Sequence, residues 1–533
     1  MATRIFLTAF MILIMLANFS EAAAEKILFV PHDDRPVSCQ QTAEVLQQTG
    51  YEILMPPKEL LGLYGSDKHP DELWRWLNAN AKNASAAVIA SDSLLYGGLI
   101  PSRKHEFSAK TISSRVENFK ALREKNPALK LYVFASLMRT PYVGTKGDIE
   151  EPVYYADHGA DIHDYTALLD KAEISSLTAD EKNQLASLKK FIPAKYLNDW
   201  LNRRAKNFAA TRKLVDFTRA GFIDYLVVGR DDNSALSQTH KENRELLAYA
   251  AKNNLPKNKF QSLAGIDEFN LLLLTRAVND LTGERPTVFV DYNTGAGAKT
   301  VPFFSNEPIE NSIADELIIT GSRLVEKIEM ADFVLLVNTD PNGETLWAHN
   351  RKPDGTKMVP DYTPNAGTEF FASLVESYLA QGYSVGVADV NFCNGSDNAL
   401  MKILRDKNLL YRLKSYAGWN TATNSTGFAL ATGILSSHMT DDAKDKLLTR
   451  RYLDDWAYQA NIRTIVGCQL NPVHYYQFEG EREWVEAEET RLMREFAQKN
   501  LPPFDYLSGL KVSNPWNRMF ECEIEFQRPS VSH

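Results

Sequence analysis

Residues 26–36 read Lys-Ile-Leu-Phe-Val-Pro-His-Asp-Asp-Arg-Pro, "KILFVPHDDRP". The apolar run Ile27–Val30 breaks at Pro31 into a histidine, two carboxylates and an arginine, the pattern of a buried strand whose carboxyl end carries polar groups. The same rhythm recurs to about Thr421, in "AAVIASDSLLYGG", "LKLYVFASLMRTP", "IDYLVVGRDDNS", "FQSLAGIDEFN", "TVFVDYNTGAG", "ADFVLLVNTDPNG", "YSVGVADVNFCNGSD" and "LKSYAGWNTATN", with "YEILMPP" near the start. Between the runs lie stretches with 3.6-residue apolar spacing, such as 111–127, 312–332 and 368–383. Strands alternating with amphipathic helices imply βαβ units and parallel sheets, so the fold class is α/β.

Two architectures satisfy the pattern: an elaborated (β/α) barrel, or two Rossmann-like doubly wound lobes, which we favour. The expected division is 25–300 and 301–430, with an insertion at 148–195 over the polar face that could act as a lid. A mostly helical region, 431–533, closes in "PWNRMFECEIEF", which alternates like an edge strand.

Residues 1–24 carry Arg4, an apolar run from Ile5 to Leu16, and Ala22-Ala23-Ala24. That is the pattern of a secretory signal peptide cleaved near Ala24, so a periplasmic or extracellular location is expected. No later segment reaches the roughly 18 apolar residues of a membrane span. The formal net charge of −9 and the lack of a basic stripe argue against nucleic acid. Cys39, Cys393, Cys468 and Cys522 lie far apart with no zinc-ligand spacing, and free thiols are the expected state.

Both architectures gather strand ends on one face. Several acids sit at such ends: Asp33, Asp34, Asp92, Asp231, Asp232, Asp267, Glu268, Asp291, Asp389 and Asp397. One carboxylate there is usually a helix cap; several on one rim would perturb each other's pKa and make an acid/base site. Asp267 reads as a cap, leaving Glu268 as a rim residue. Tyr96 and a Gly97-Gly98 pair follow Asp92, with Arg103 beyond them, Arg230 precedes Asp231, and Trp419, Asn420 and Thr421 have the character of a sugar-stacking surface. His32, Asp33, Asp92 and Asp389 are an alternative ligand set for Mg²⁺ or Ca²⁺, although no cofactor is firmly indicated. Phosphate loops, GxSxG elbows and HExxH helices are absent.

Together "PHDDRPVS", "SDSLLYGGLIPSR", "GRDDNS", "GIDEF", "ADVNFCNGSD", "YAGWNTATNSTG", "RYLDDWAYQ" and "PWNRMFECE" resemble the bacterial family known as domain of unknown function 4127, over nearly the whole chain after the signal. The resemblance implies a shared architecture and polar face, and no reaction. It also implies a leucine ahead of DDRP, where His32 stands.

The functional expectation is a hydrolase acting on a carbohydrate or cell-wall glycan. Its acid/base pair comes from Asp33, Asp34, Asp231 and Asp232; Arg35, Asp92, Tyr96, Arg103, Arg230, Glu268, Asp389, Trp419, Asn420 and Thr421 serve binding. A metal-dependent phosphoester or amide hydrolase and a non-catalytic periplasmic binding protein are the alternatives.

Overall fold

The computed structural model describes residues 24–61, 69–142, 150–231, 233–351, 358–360 and 362–526. Residues 1–23, most of the expected signal, lie outside them, as does Asp232.

The ten apolar runs become strands of two open, all-parallel sheets. The first contains β1 (Lys26–Val30), β2 (Glu52–Leu54), β3 (Ala86–Ala90), β4 (Lys130–Leu137), β5 (Tyr225–Arg230) and β6 (Phe260–Ala264), in the order β2-β1-β3-β4-β5-β6. The second contains β7 (Thr287–Tyr292), β8 (Arg323–Leu324), β9 (Phe333–Asn338), β10 (Val385–Asp389) and β11 (Ser415–Ala417), in the order β11-β10-β9-β7-β8. Counted from its own first strand, the second sheet also reads 2-1-3-4-5. Each lobe therefore has a switch point beside its first strand, between β1 and β3 or between β7 and β9, where a doubly wound sheet leaves a crevice for ligands. The barrel alternative is set aside, since the strands of the βαβ units form two open sheets and the other described strands only small two-stranded pairs.

β3, β5, β9 and β10 are buried along their whole length, as strands covered on both faces must be. The inner covering is shared. Helix Phe269–Thr282 carries Leu271–Leu274, all fully buried, and every residue of helix Ala422–Leu435 is buried. A helix apolar on all sides belongs inside a protein. These two helices join residues of both sheets, such as Phe29, Phe134, Leu335 and Val337, into one core. Gly433 permits the contact, because a Cβ there would overlap the Phe333 ring of β9.

The outer face of the first sheet is covered by helices Pro70–Asn80, Ala109–Lys125 and Ala194–Arg219. That of the second is covered by Thr368–Ala380 and by the C-terminal region, including Arg482–Asn500. The expected insertion is helical, Tyr155–Ile174 and Ala179–Phe191, with a small core of its own around Tyr155 and Trp200.

Three boundaries differ from expectation. The second sheet begins at Thr287, so the break between lobes precedes residue 300, and 299–312 is a connection inside the second lobe. The helix expected over 312–332 spans Ile309–Thr320; Gly321, at φ +77°, stops it and Arg323–Leu324 turns into β8. The closing segment is no edge of either large sheet: Glu523–Glu525 pairs antiparallel with Lys511–Ser513. The four cysteines are free, and Cys468 is exposed.

Candidate functional site

The acidic turn after β1 points its side chains in several directions. Asp33 closes a short turn onto Arg35, accepting the backbone N–H at 3.1 Å and Nε at 2.8 Å. Arg35, thus oriented, donates from Nη2 to Asp267 Oδ1 at 2.6 Å. Asp34 turns away: its Oδ1 accepts the indole N–H of Trp516 at 2.8 Å, and Oδ2 makes no hydrogen bond to a described residue. Burial pushes the Asp34 carboxyl up to about 6 against the opposing Trp516 bond.

Asp267 is the centre of the arrangement. Its Oδ1 takes Arg35, His32 Nε2 at 3.2 Å and Ser38 Oγ at 3.3 Å, while Oδ2 accepts Asn420 Nδ2 at 3.3 Å. Burial alone would raise this carboxyl; the Arg35 guanidinium and His32 outweigh it and hold Asp267 well below the usual carboxylate range. His32 is wholly buried, edge-on to Phe134 at 5.6 Å, with Asn270 Nδ2 3.1 Å from Nδ1. His32 Nε2 faces both Asp267 Oδ1 and Arg35 Nη2, the latter at 3.0 Å.

Asp267 borders a cavity of about 340 Å³ between the sheets, roofed by the C-terminal region. The first lobe contributes Arg35, Arg103, Arg139, Glu150, Arg230 and Asp231. Most of these charges are locked together. Arg103 meets Glu150 at 2.9 Å and Asp231 at 3.0 Å, Arg139 meets Glu151 at 2.6 Å and Glu150 at 3.1 Å, and Arg518 meets Glu150 at 2.6 Å and Glu521 at 2.9 Å. Glu150 is desolvated, yet Arg139, Arg518 and Arg103 keep it well below its ordinary value. The far wall brings Asn394, Asn420, Thr421 and Asn424, with Arg463 and the rings of Trp347, Trp516 and Phe520. Asn394 and Asn420 sit in the left-handed region, φ +57° and +58°, which asparagine tolerates better than most residues.

Of the residues expected at the site, Arg35, Arg103, Arg230, Asp231, Asn420 and Thr421 line the cavity. The others have other surroundings. Asp33 and Asp34 are second to it, holding Arg35 and Trp516. Asp92 is buried against Ser136 at the start of helix Ser91–Tyr96, where burial pushes it up to about 6. Tyr96 stacks on His105 with ring centroids 4.8 Å apart. Trp419 is core, edge-on to Phe520. Asp389 accepts Asn338, Tyr416 and the Asp397 amide inside the second lobe, where burial and the Asp397 charge push it up to about 7. The set His32, Asp33, Asp92 and Asp389 is therefore not assembled, and no group of three or more His, Cys, Asp or Glu able to hold a metal occurs among the described residues.

Asp267 and Glu268 exchange their expected places. Glu268 folds back over Gly265 and accepts the Ile266 amide at 3.1 Å; burial, with Asp267 and Asp231 nearby, raises it well above its ordinary value. A Cβ on Gly265, at φ +116°, would overlap that carboxyl. Trp347, Glu150 and Arg463 carry no sequence signal of their own, and the alternation of PWNRMFECEIEF places Trp516 and Arg518 on a strand.

The family model described as "Protein of unknown function (DUF4127)" matches residues 27–525. The chain belongs to this family. No curated protein matches the sequence.

In this DUF4127 chain the blocks that carry the resemblance meet at one place. Arg35 of DDRP holds Asp267 of GIDEF, which takes Asn420 of GWNT. Arg451 and Asp455 of RYLDDWAYQ pair with each other, and Asp455 accepts the Gly418 amide at 2.8 Å, fixing the GWNT turn from behind. Asp455 belongs to an unusual π-helical run, Tyr452–Ile462, of the kind that gathers near functional sites. PWNRMFECE returns Trp516 to Asp34, with Arg35 5.3 Å from the indole centroid.

Proposed function

We propose that this protein is an exported hydrolase of a carbohydrate or cell-wall glycan, working in the cleft between its two sheets. Asp267 carries the reading. One oxygen meets Arg35, Ser38 and His32 and the other meets Asn420 at the cavity wall, so the carboxylate is held rigid and negative beside the space a substrate would fill. A glycosidase uses such a group to stabilise, or to attack, the oxocarbenium-like centre. Asp231, held by Arg103, is the second carboxyl of the pair, and Trp347, an exposed ring, and Phe520 supply faces for sugar rings. Export rests on the amino-terminal sequence.

The test is incubation with purified peptidoglycan and a panel of polysaccharides, followed by reducing-end and mass analysis. Asp267→Asn and Asp231→Asn should each lower turnover by about a thousandfold while retaining ligand affinity. Both variants cleaving at the parental rate would refute the assignment. Bound glycan recovered unchanged after long incubation would make the chain a binding protein.

A further inference from the structure

The arginines around the cavity divide into two groups. Arg35, Arg103, Arg139 and Arg518 are matched by Asp33, Asp267, Glu150, Glu151, Asp231 and Glu521. Arg230 and Arg463 lie outside that network, and neither has a carboxylate within ion-pairing distance among the described residues. Arg230 is only 6 % exposed, its guanidinium makes no hydrogen bond to any described residue, and its buried Nε is without an acceptor. Burial lowers its affinity for the proton, and the distant Glu307 compensates only in part. Arg463 spends two donors on Tyr475 and Gln459 and lies 4.9 Å from the Phe520 ring centroid. For Arg463, Tyr475, Tyr458 and Glu521 together outweigh its burial, whereas Arg230 is a desolvated charge without a counter-charge, which is costly. Asn424, 5 % exposed, and Asn394 also border the cavity, each with a buried side-chain oxygen lacking a partner. Buried groups left unsatisfied together on one cavity wall are completed by a ligand, an ion or ordered water.

We propose that the cleft selects a glycan bearing an oxyanion, a carboxylate, sulfate or phosphate, which Arg230 and Arg463 bind from the two sides of the cavity while Asn394 and Asn424 hydrogen-bond the adjoining hydroxyls. The guanidinium fork matches the paired oxygens of such a group, and the neighbouring rings exclude water from the contact. This rests on the carbohydrate reading above and deepens it.

The experiment separates the two. Binding is measured by calorimetry on the parental protein with S-linked, non-hydrolysable disaccharides: one carrying a uronic acid, one sulfated and one neutral, of the same size. At least one anionic sugar should bind about tenfold or more tightly than the neutral one. Arg230→Gln and Arg463→Gln, each checked for a parental circular-dichroism melt, should bring that ratio toward one, and Arg230→Lys should restore only part of it. Equal affinities, or a ratio unmoved by both Gln variants, overturns the inference even where the parental protein cleaves a neutral glycan. A preserved anion preference with no cleavage of any glycan upholds the inference and refutes the hydrolase. No binding of any sugar refutes both.

Discussion

Replacing both members of the Arg35–Asp267 pair tests the centre of the site through its energetics. Two unit charges about 4 Å apart at an effective dielectric of about 20 attract by roughly 4 kcal/mol. Both side chains are buried, at 7 % and 4 % exposure, so little of this is screened by solvent. Removing Asp267 alone leaves Arg35 only its Asp33 partner, and losing one member of a buried pair costs about 3–5 kcal/mol. In the cycle Arg35→Met, Asp267→Leu and the double variant, Asp33 loses Arg35 in both backgrounds, so that loss cancels. The expected coupling is about 3 kcal/mol, with the double variant more stable than the two single effects sum to. Urea unfolding read by tryptophan fluorescence and circular dichroism measures it, with equal slopes required for comparison. The folded Asp267 binds its proton more weakly than the unfolded one does. Its contribution is therefore complete above the unfolded value near pH 4 and is lost as pH falls toward the folded value. A coupling below about 0.5 kcal/mol at pH 7, the level of independent sites, would refute the view that Arg35 fixes Asp267.

Other expectations rest on separate features. Glu489 is fully buried with neither oxygen in a hydrogen bond of good geometry, and burial pushes it up to about 8. The folded state keeps the proton that the unfolded state releases, so stability should fall as pH rises from about 4.5 to 8, by at most about 1.4 kcal/mol per pH unit. Thermal melts of Glu489→Gln should lack that portion of the slope, and parallel slopes would contradict it. Gly433→Ala forces a methyl into Phe333 and should cost about 1–3 kcal/mol in the same urea assay; a neutral effect would mean that helix and strand separate freely. Under the glycosidase reading, EDTA should leave glycan cleavage unchanged, and loss of activity restored by Mg²⁺ or Ca²⁺ would favour the metal-dependent alternative.

The strands were legible because a parallel strand covered on both faces must be apolar along its length, whatever covers it. KILFV, AAVIA and FVLLVN show this without knowledge of their partners. The shortest strand of the two large sheets, β8, was hidden because two exposed residues, Arg323 and Leu324, leave no periodicity to read. Helix Phe269–Thr282 announced its burial through an unbroken Leu271–Leu274 run, although which two sheets it joins was not in its own sequence.

The site divides along the same line. Sequence alone determined that acids and arginines would stand at the carboxyl ends of parallel strands, because chain direction within βαβ units is a local consequence of pattern. Only the tertiary structure decided which of them face the cavity. Asp267 and Glu268 are neighbours with opposite fates, since Asp267 finds Arg35 232 residues away while Glu268 turns back over Gly265. The same holds for Trp516, drawn to Asp34 across 482 residues, and Trp419, whose indole enters the core. The physical reason is that a charge's role depends on the counter-charge and solvent it meets, and folding brings both from far along the chain.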